Sequence, residues 1–502
     1  MKYRAEIDGL RALAVLPVIL FHAGFEWFSG GFVGVDVFFV ISGYLITTII
    51  ISEIAEDKFS IVNFYERRAR RILPALFFVM AACFPFAWLW LTPNTLKDFG
   101  QSLVAVSTFS SNILFWRESG YFDTAAELKP LLHTWSLAVE EQYYILFPIF
   151  LMVTWKLGLK CILILLFIFF LVSLGIAQWG AYNSPSATFF LLPTRGWELL
   201  IGVFAAFYLK YNTHLKLHSL NQTLSLLGFG MVVYSITAFD KTTPFPSLYA
   251  LIPTIGTGLL ILCAVPNTLV HKFLSLKFIV GIGLISYSAY LWHQPLLAFA
   301  RHRLLLGDVS DSILTILCIA SLLIGWLSWR FVEAPFRSNR KITRKAIFFG
   351  SSCSLIIFLI IGHLTHKNII DPFSKNSEWY KAIRAHQCLL QGDEETQHSL
   401  YCYEDDSGIL LWGDSHAATL SIALAENYSG STPFTQLTQS GCPPILGLEV
   451  LIHRKSCNQI NQRILDDIKK SDYRKIILHA AWVHYNYPMT PEKLKEKIDL
   501  TL

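Results

Sequence analysis

Charged side chains are scarce in this sequence. Asp, Glu, Lys and Arg make up 15% of its 502 residues, against roughly 25% in an ordinary soluble domain. That scarcity excludes a chain built only of compact soluble domains. Residues 72–91, 161–192, 312–329 and 346–361 carry no charge at all. The formal net charge is also small, +5, which argues against a nucleic-acid partner. The polar C-terminal part has no CxxC or HxxxH spacing for zinc, so no metal is expected. No small-residue cleavage site follows the first hydrophobic segment, which runs on into a second, so it is not a removable signal peptide.

Apolar and aromatic residues are abundant instead. Hydrophobic residues reach 53% and aromatics 14%, with 38 Phe, 20 Tyr and 14 Trp. Mean hydropathy is +0.46. Such a chain cannot stay disordered in water, and its aromatics suit a bilayer. A spanning helix needs about 20 mostly apolar residues. Eleven segments qualify, near 10–28, 33–51, 72–91, 133–155, 161–178, 187–209, 221–239, 248–266, 279–300, 312–332 and 346–363. With a cytoplasmic N-terminus, the inner segments hold 18 Lys and Arg and the outer loops 6. The positive-inside rule then places the C-terminal region outside the cytoplasm. Composition turns polar near Ile369, and 368–377 has the character of a linker. The expected layout is a membrane body over 1–340, an additional helix and linker over 341–376, and a soluble domain over 377–502.

Four cysteines lie in the soluble part. They allow three connectivities, and the short loops favour Cys388–Cys402 and Cys442–Cys457, in an oxidising compartment. The other five lie in spans as small apolar residues.

Ionisable groups at membrane depth are costly and usually functional. Arg11 and His22 stand eleven residues apart, about three turns and roughly 16 Å, on one helix face. A neutral imidazole there can take a proton from a nucleophile or carry an acyl group, or simply be hydrogen-bonded between helices. His133, Glu140 and Glu141 enter the fourth span; Arg195 and Glu198 are placed to pair at i,i+3; His293 lies in the ninth span and Glu333 closes the tenth. Arg67, Arg68, Arg70 and Arg71 end the inner loop 53–71. They form either an anion site gripping phosphates or a topogenic, headgroup-binding cluster.

These stretches resemble the acyltransferase-3 family of integral membrane acyltransferases. The matching runs are YRAEIDGLRALAV from Tyr3, GFVGVDVFFVISGYLI from Gly31, YERRARRILP from Tyr65, HTWSLAVEEQYY from His133, RGWE from Arg195, SYSAYLWHQP from Ser286 and FVEAP from Phe331. The resemblance implies transfer of an acyl group, usually acetyl from acetyl-CoA, across the membrane to an extracytoplasmic glycan. It implies that Arg11 and His22 are the essential first-helix pair. The family's RxxR motif falls on Arg68 and Arg71, with Arg67 and Arg70 as the alternative register.

In the soluble part, 408–412 is a buried-strand pattern leading into GDSHA and a helix over 417–426. Strand, tight turn and helix put Ser415 at a helix N-terminus, which favours developing negative charge. A second strand pattern covers 475–479, after a helical one near 457–471, so the order is α/β. The segment resembles the SGNH hydrolase-like domain fused to acyltransferase-3 proteins. That resemblance implies Ser415 as nucleophile and Gly441 as oxyanion glycine. The Asp-x-x-His that completes that family's triad is not found before Leu502, and about three strands are expected, so this domain is expected to be incomplete.

The fold class is therefore a multi-pass α-helical membrane protein of about eleven spans followed by an α/β SGNH-like domain. The expected function is O-acetylation of a bacterial envelope glycan, lipopolysaccharide O-antigen or core sugar, at the inner membrane. The alternative is a carrier or flippase with a glycan-binding outer domain, which would bury charge equally.

Overall fold

The computed structural model describes residues 3–118, 126–212, 217–303, 310–338, 342–367, 369–370, 388–390, 402, 408–428, 434–440, 442–446, 456–480 and 495. The chain divides into two compact units, Met1–Asp371 and Pro372–Leu502.

The first unit is helical. Its helices are α1 (Ala5–Ala23), α2 (Gly34–Ala55), α3 (Ile61–Trp90), α4 (Pro93–Ser107), α5 (Ser111–Arg117), α6 (Thr134–Thr154), α7 (Leu159–Asn183), α8 (Pro185–Phe190), α9 (Leu192–Tyr211), α10 (His218–Ala238), α11 (Leu251–Cys263), α12 (Leu269–Leu274), α13 (Lys277–Arg303), α14 (Asp311–Ser328), α15 (Ala334–Ser338) and α16 (Arg344–His366). Each of the eleven expected segments holds one of these helices. Seven helices among the described residues are long and apolar enough to cross a membrane, and Leu248–Cys263 is a shorter apolar one. The remaining three, α1, α10 and α13, carry polar groups, α10 burying Asn221, Ser225 and Ser235. Helix α1 buries Glu6 and Arg11, and α13 buries Ser286, Ser288, His293 and Gln294. Polar groups in both face other helices rather than lipid, as buried intramembrane polar groups do.

The arginine cluster is not in a loop. Helix α3 starts at Ile61, where the Ser60 side chain accepts from the Asn63 N–H, and it carries the cluster in its first turns. Ser at the N-cap and helix-favouring arginines explain the early start.

Close backbone approach builds the interior. A Cβ at Gly43 of α2 would collide with the Leu199 carbonyl of α9, and one at Gly202 of α9 with the Val40 carbonyl of α2. Reciprocal small residues let two helices touch at backbone level, the usual solution in lipid. Ring and aliphatic side chains of α1, α2, α3, α6, α9 and α13 fill the main core, with Phe39, Phe64, Leu76, Leu199 and Leu291 fully buried.

In the second unit four parallel strands are ordered β1-β3-β2-β4: β1 (Leu389–Leu390), β2 (Ile409–Gly413), β3 (Phe434–Gln439) and β4 (Lys475–His479). The described residues thus hold one strand more than the three expected. Helices α17 (Ser415–Tyr428) and α18 (Ser456–Ile468) join them. The missed central strand β3, FTQLTQ, buries Thr435, Gln436, Thr438 and Gln439. Its polar composition hides it from any hydrophobic pattern. Disulfides join Cys388 to Cys402 and Cys442 to Cys457.

Candidate active site

Helices α1, α2, α3, α6, α13 and α15 surround a cavity of about 410 Å³ in the first unit. Five arginines line it, Arg4, Arg11, Arg68, Arg71 and Arg337, against the carboxylates Asp8 and Glu140. Cations outnumber carboxylates along its wall, and the remaining wall is largely apolar: Ile7, Phe38, Leu45, Ile72 and Leu284 among others.

The four clustered arginines divide by helix face. Arg67 pairs with Glu53 at 2.9 Å. Arg70 pairs with Glu66 at 2.9 Å and donates to the Ile342 carbonyl at 2.6 Å. Both serve structure. Arg68 and Arg71 turn into the cavity, and neither forms an ion pair with a carboxylate among the described residues. The Arg68 guanidinium lies 5.9 Å from the Tyr144 ring. Arg11 holds Asp8 at 3.2 Å. Glu140 accepts from Ser42 Oγ and from the Tyr144 hydroxyl, each at 2.9 Å. Glu333, in the π-helical turn Trp329–Glu333 after α14, accepts from Ser288 Oγ at 3.1 Å and faces Arg337 at 3.8 Å.

Beyond this cavity lies a layer of three imidazoles. The His22 and His293 ring centroids are 5.1 Å apart, and those of His293 and His133 are 5.4 Å apart. His22 Nδ1 lies 2.9 Å from the Val18 carbonyl, and His293 Nδ1 bonds the Tyr290 carbonyl. A carbonyl only accepts, so each Nδ1 carries its proton and each Nε2 keeps its lone pair. Tyr290 belongs to both regions. It lines the cavity, and its ring touches His133 at 5.3 Å and His293 at 5.2 Å. Its hydroxyl donates to the His133 carbonyl and bonds Ser136 Oγ, each at 2.7 Å.

Helix α13 aligns this layer. It carries His293 and, through Arg301, donates to the carbonyl of His22. Gln294 donates to the carbonyls of Glu127 and Lys129, and His302 bonds that of Leu128 at 2.9 Å. Three consecutive carbonyls before His133 are thus pinned to one helix. Sequence reading placed His133 among the buried polar groups without a role and passed over Tyr290, Ser136 and Arg301. Tyr290 sits three residues before His293 in one run, a helical spacing that could have flagged it.

Arg195 stands apart from both regions. It lies 3.2 Å from Asp36 and 3.3 Å from Glu198, all three buried. The rings of Phe39, Trp135, Phe189 and Phe245 lie 5.4–5.6 Å from its guanidinium. Its single charge sits between two buried carboxyl groups inside an aromatic cage.

In the second unit, Ser415 opens α17 directly after β2, at the carboxyl end of the parallel strands, where α/β sheets bind ligands. A Cβ at Gly413 would strike the His479 carbonyl and the Ala417 side chain, so glycine is required for this turn. Asp414 is buried and accepts from the His416 N–H at 2.8 Å. Its carboxylate also lies 3.6 Å from His416 Nδ1 and raises that imidazole's pKa. Trp412 Nε1 donates to Asn461, which in turn donates to the Pro443 and Ile445 carbonyls at 2.8 and 3.0 Å. That bridge fixes the turn after Cys442. Gly441 lies outside the described residues.

Comparison with known proteins agrees with this division. An acyltransferase-domain family model matches residues 4–330, and a model of the SGNH domain fused to such domains matches residues 384–500. O-acetyltransferase OatA of Staphylococcus aureus strain MRSA252 is 32% identical over 396 residues, covering 75% of this chain and 65% of that protein. Peptidoglycan O-acetyltransferase OatA of Listeria monocytogenes is 32% identical over 360 residues, 67% of this chain and 56% of its own. The chain therefore spans less than two thirds of these curated relatives. No solved structure matches it. The membrane unit with its arginine-lined cavity and the α/β unit with its Gly-Asp-Ser turn make this chain a member of the acyltransferase-3 family that carries a fused SGNH domain.

Proposed function

We propose that the protein is an inner-membrane O-acetyltransferase that moves acetyl groups from cytoplasmic acetyl-CoA to a hydroxyl of an extracytoplasmic envelope glycan. The observation that carries this reading is the cavity into which Arg68 and Arg71 project without carboxylate ion pairs among the described residues. Guanidinium forks grip phosphate oxygens bidentately, and the apolar remainder of the wall suits a pantetheine-like arm. His22, with a free Nε2 lone pair, serves as base for the acyl acceptor. Ser415, at a helix N-terminus, receives the acetyl group outside and passes it to the sugar hydroxyl.

The acceptor class is an envelope glycan. The Listeria relative is named for peptidoglycan, whereas the sequence reading favours lipopolysaccharide O-antigen or core sugar. Glycans from a strain lacking the gene, analysed before and after mild base, separate the two: base-labile acetate disappears from one polymer. Unchanged acetate on both refutes the reading. The excess of inner over outer Lys and Arg supports a cytoplasmic N-terminus and a periplasmic second unit. A reporter active only in the periplasm, fused after Asn376, is active in that arrangement and silent in the reverse one.

A further inference from the structure

His133 is 1% exposed, and neither of its ring nitrogens has a hydrogen-bond partner among the described residues. A neutral imidazole has one N–H donor and one lone pair. Burying that donor unpaired is unfavourable, and an apolar ring of the same shape would fit more favourably. His293 beside it also keeps a buried Nε2 without a partner. The backbone at His133 is held firmly by the Tyr290 hydroxyl, so its ring is positioned but unsatisfied. Retained polarity without a protein partner points to a transient one.

We propose that His133 is a catalytic residue of acyl transfer, its ring N–H being the donor to the acyl carbonyl oxygen. This rests on the acetyl-transfer reading. As the acceptor alcohol attacks, its proton passes to His22 Nε2 and the new C–O bond forms. The carbonyl π pair moves onto oxygen, where the His133 N–H holds it. Collapse of the tetrahedral intermediate breaks the C–S bond, and the departing thiolate takes the proton back from His22. The sum is alcohol plus acetyl-CoA giving ester plus free thiol. Tyr290, Ser136 and Arg301 are positioning residues: they set where His133 and His22 stand.

The test uses full-length His133→Phe and His133→Gln in membranes, with acetyl-CoA as the probe. Acetate incorporation is followed beside melting temperature in detergent. Phe keeps the shape and removes the donor; Gln restores an N–H. The expected result for Phe is a fall in kcat of about 10²- to 10³-fold, the usual cost of one oxyanion donor. Its KM for acetyl-CoA stays unchanged and its melting temperature stays equal or rises. Gln recovers part of the lost kcat. Near-parental turnover in Phe, a melting temperature that falls together with activity, or Gln no better than Phe each overturns the proposal. An inactive His22→Ala beside an active His133→Phe sinks this inference alone. Absence of acetyl-CoA-dependent acetate in parent membranes sinks the functional reading first.

Discussion

Replacing Arg68 and Arg71 by alanine removes the two guanidiniums that project into the cavity without carboxylate ion pairs among the described residues. Each charge-assisted contact to a phosphate is worth about 1.5–3 kcal/mol. Losing two should weaken acetyl-CoA binding by about 3–6 kcal/mol, or about 10²- to 10⁴-fold. Folding should suffer less than binding, because neither guanidinium forms an ion pair with a carboxylate among the described residues. Arg71 lies within electrostatic reach of Arg11 and Arg68 and equally of the carboxylates Glu140 and Glu333, so its removal relieves like-charge repulsion while taking a favourable charge from buried acids. The paired variant Arg67→Ala with Arg70→Ala reverses the pattern. It breaks the contacts to Glu53, Glu66 and the Ile342 carbonyl, costing about 1–3 kcal/mol of stability with KM unchanged. Lysine at 68 and 71 should recover only part of the affinity, since an ammonium lacks the planar fork. The assay is KM for acetyl-CoA in purified membranes beside melting temperature in detergent. Equal KM effects from the two double variants would refute the division of the cluster by helix face.

Other outcomes follow from single sites. His22→Ala should reach the membrane in normal amount and lose about 10²- to 10⁴-fold in kcat, the range for a lost general base; parental acetylation would remove His22 from the reaction. Gly202→Leu should sharply lower folded yield, because its side chain meets the Val40 backbone rather than a flexible neighbour, and overpacking costs about 1–3 kcal/mol or more; normal yield would contradict the α2–α9 crossing. His416 should titrate above the usual histidine value of about 6.5, since Asp414 stabilises its charged form. A raised folded pKa contributes stability that is fully present below about pH 6.5 and fades as pH rises through the shifted value. An NMR titration of the His416 ring, with Asp414→Asn returning it to the ordinary value, checks the sign.

The helices were legible because lipid demands long apolar runs, and all eleven expected segments are helical. Their boundaries were less so: α3 begins well before its apolar stretch because Ser60 caps it and arginine favours helix. Strand β3 stayed hidden because its buried Leu437 is flanked by buried Thr and Gln, which bond one another and neighbouring carbonyls, as Gln436 and Thr438 do. In the candidate site, Arg11, His22, Arg68 and Arg71 stood out as charges within or beside apolar runs. What spacing could not convey was convergence across helices. The contact of His22 with His293 joins residues 271 positions apart, and tyrosine and serine inside a span look unremarkable until their partners are known.

Helix α13 bears His293 and also grips the carbonyl of His22 and the backbone leading to His133. The three imidazoles therefore share one mechanical reference. A tilt of α13, of the kind a thicker or thinner bilayer imposes, is a common-mode displacement: it carries all three rings together and leaves the gaps between them nearly constant. The spacing within that layer is thereby referred to a single helix, which also lends Tyr287 and Tyr290 to the wall of the arginine-lined cavity.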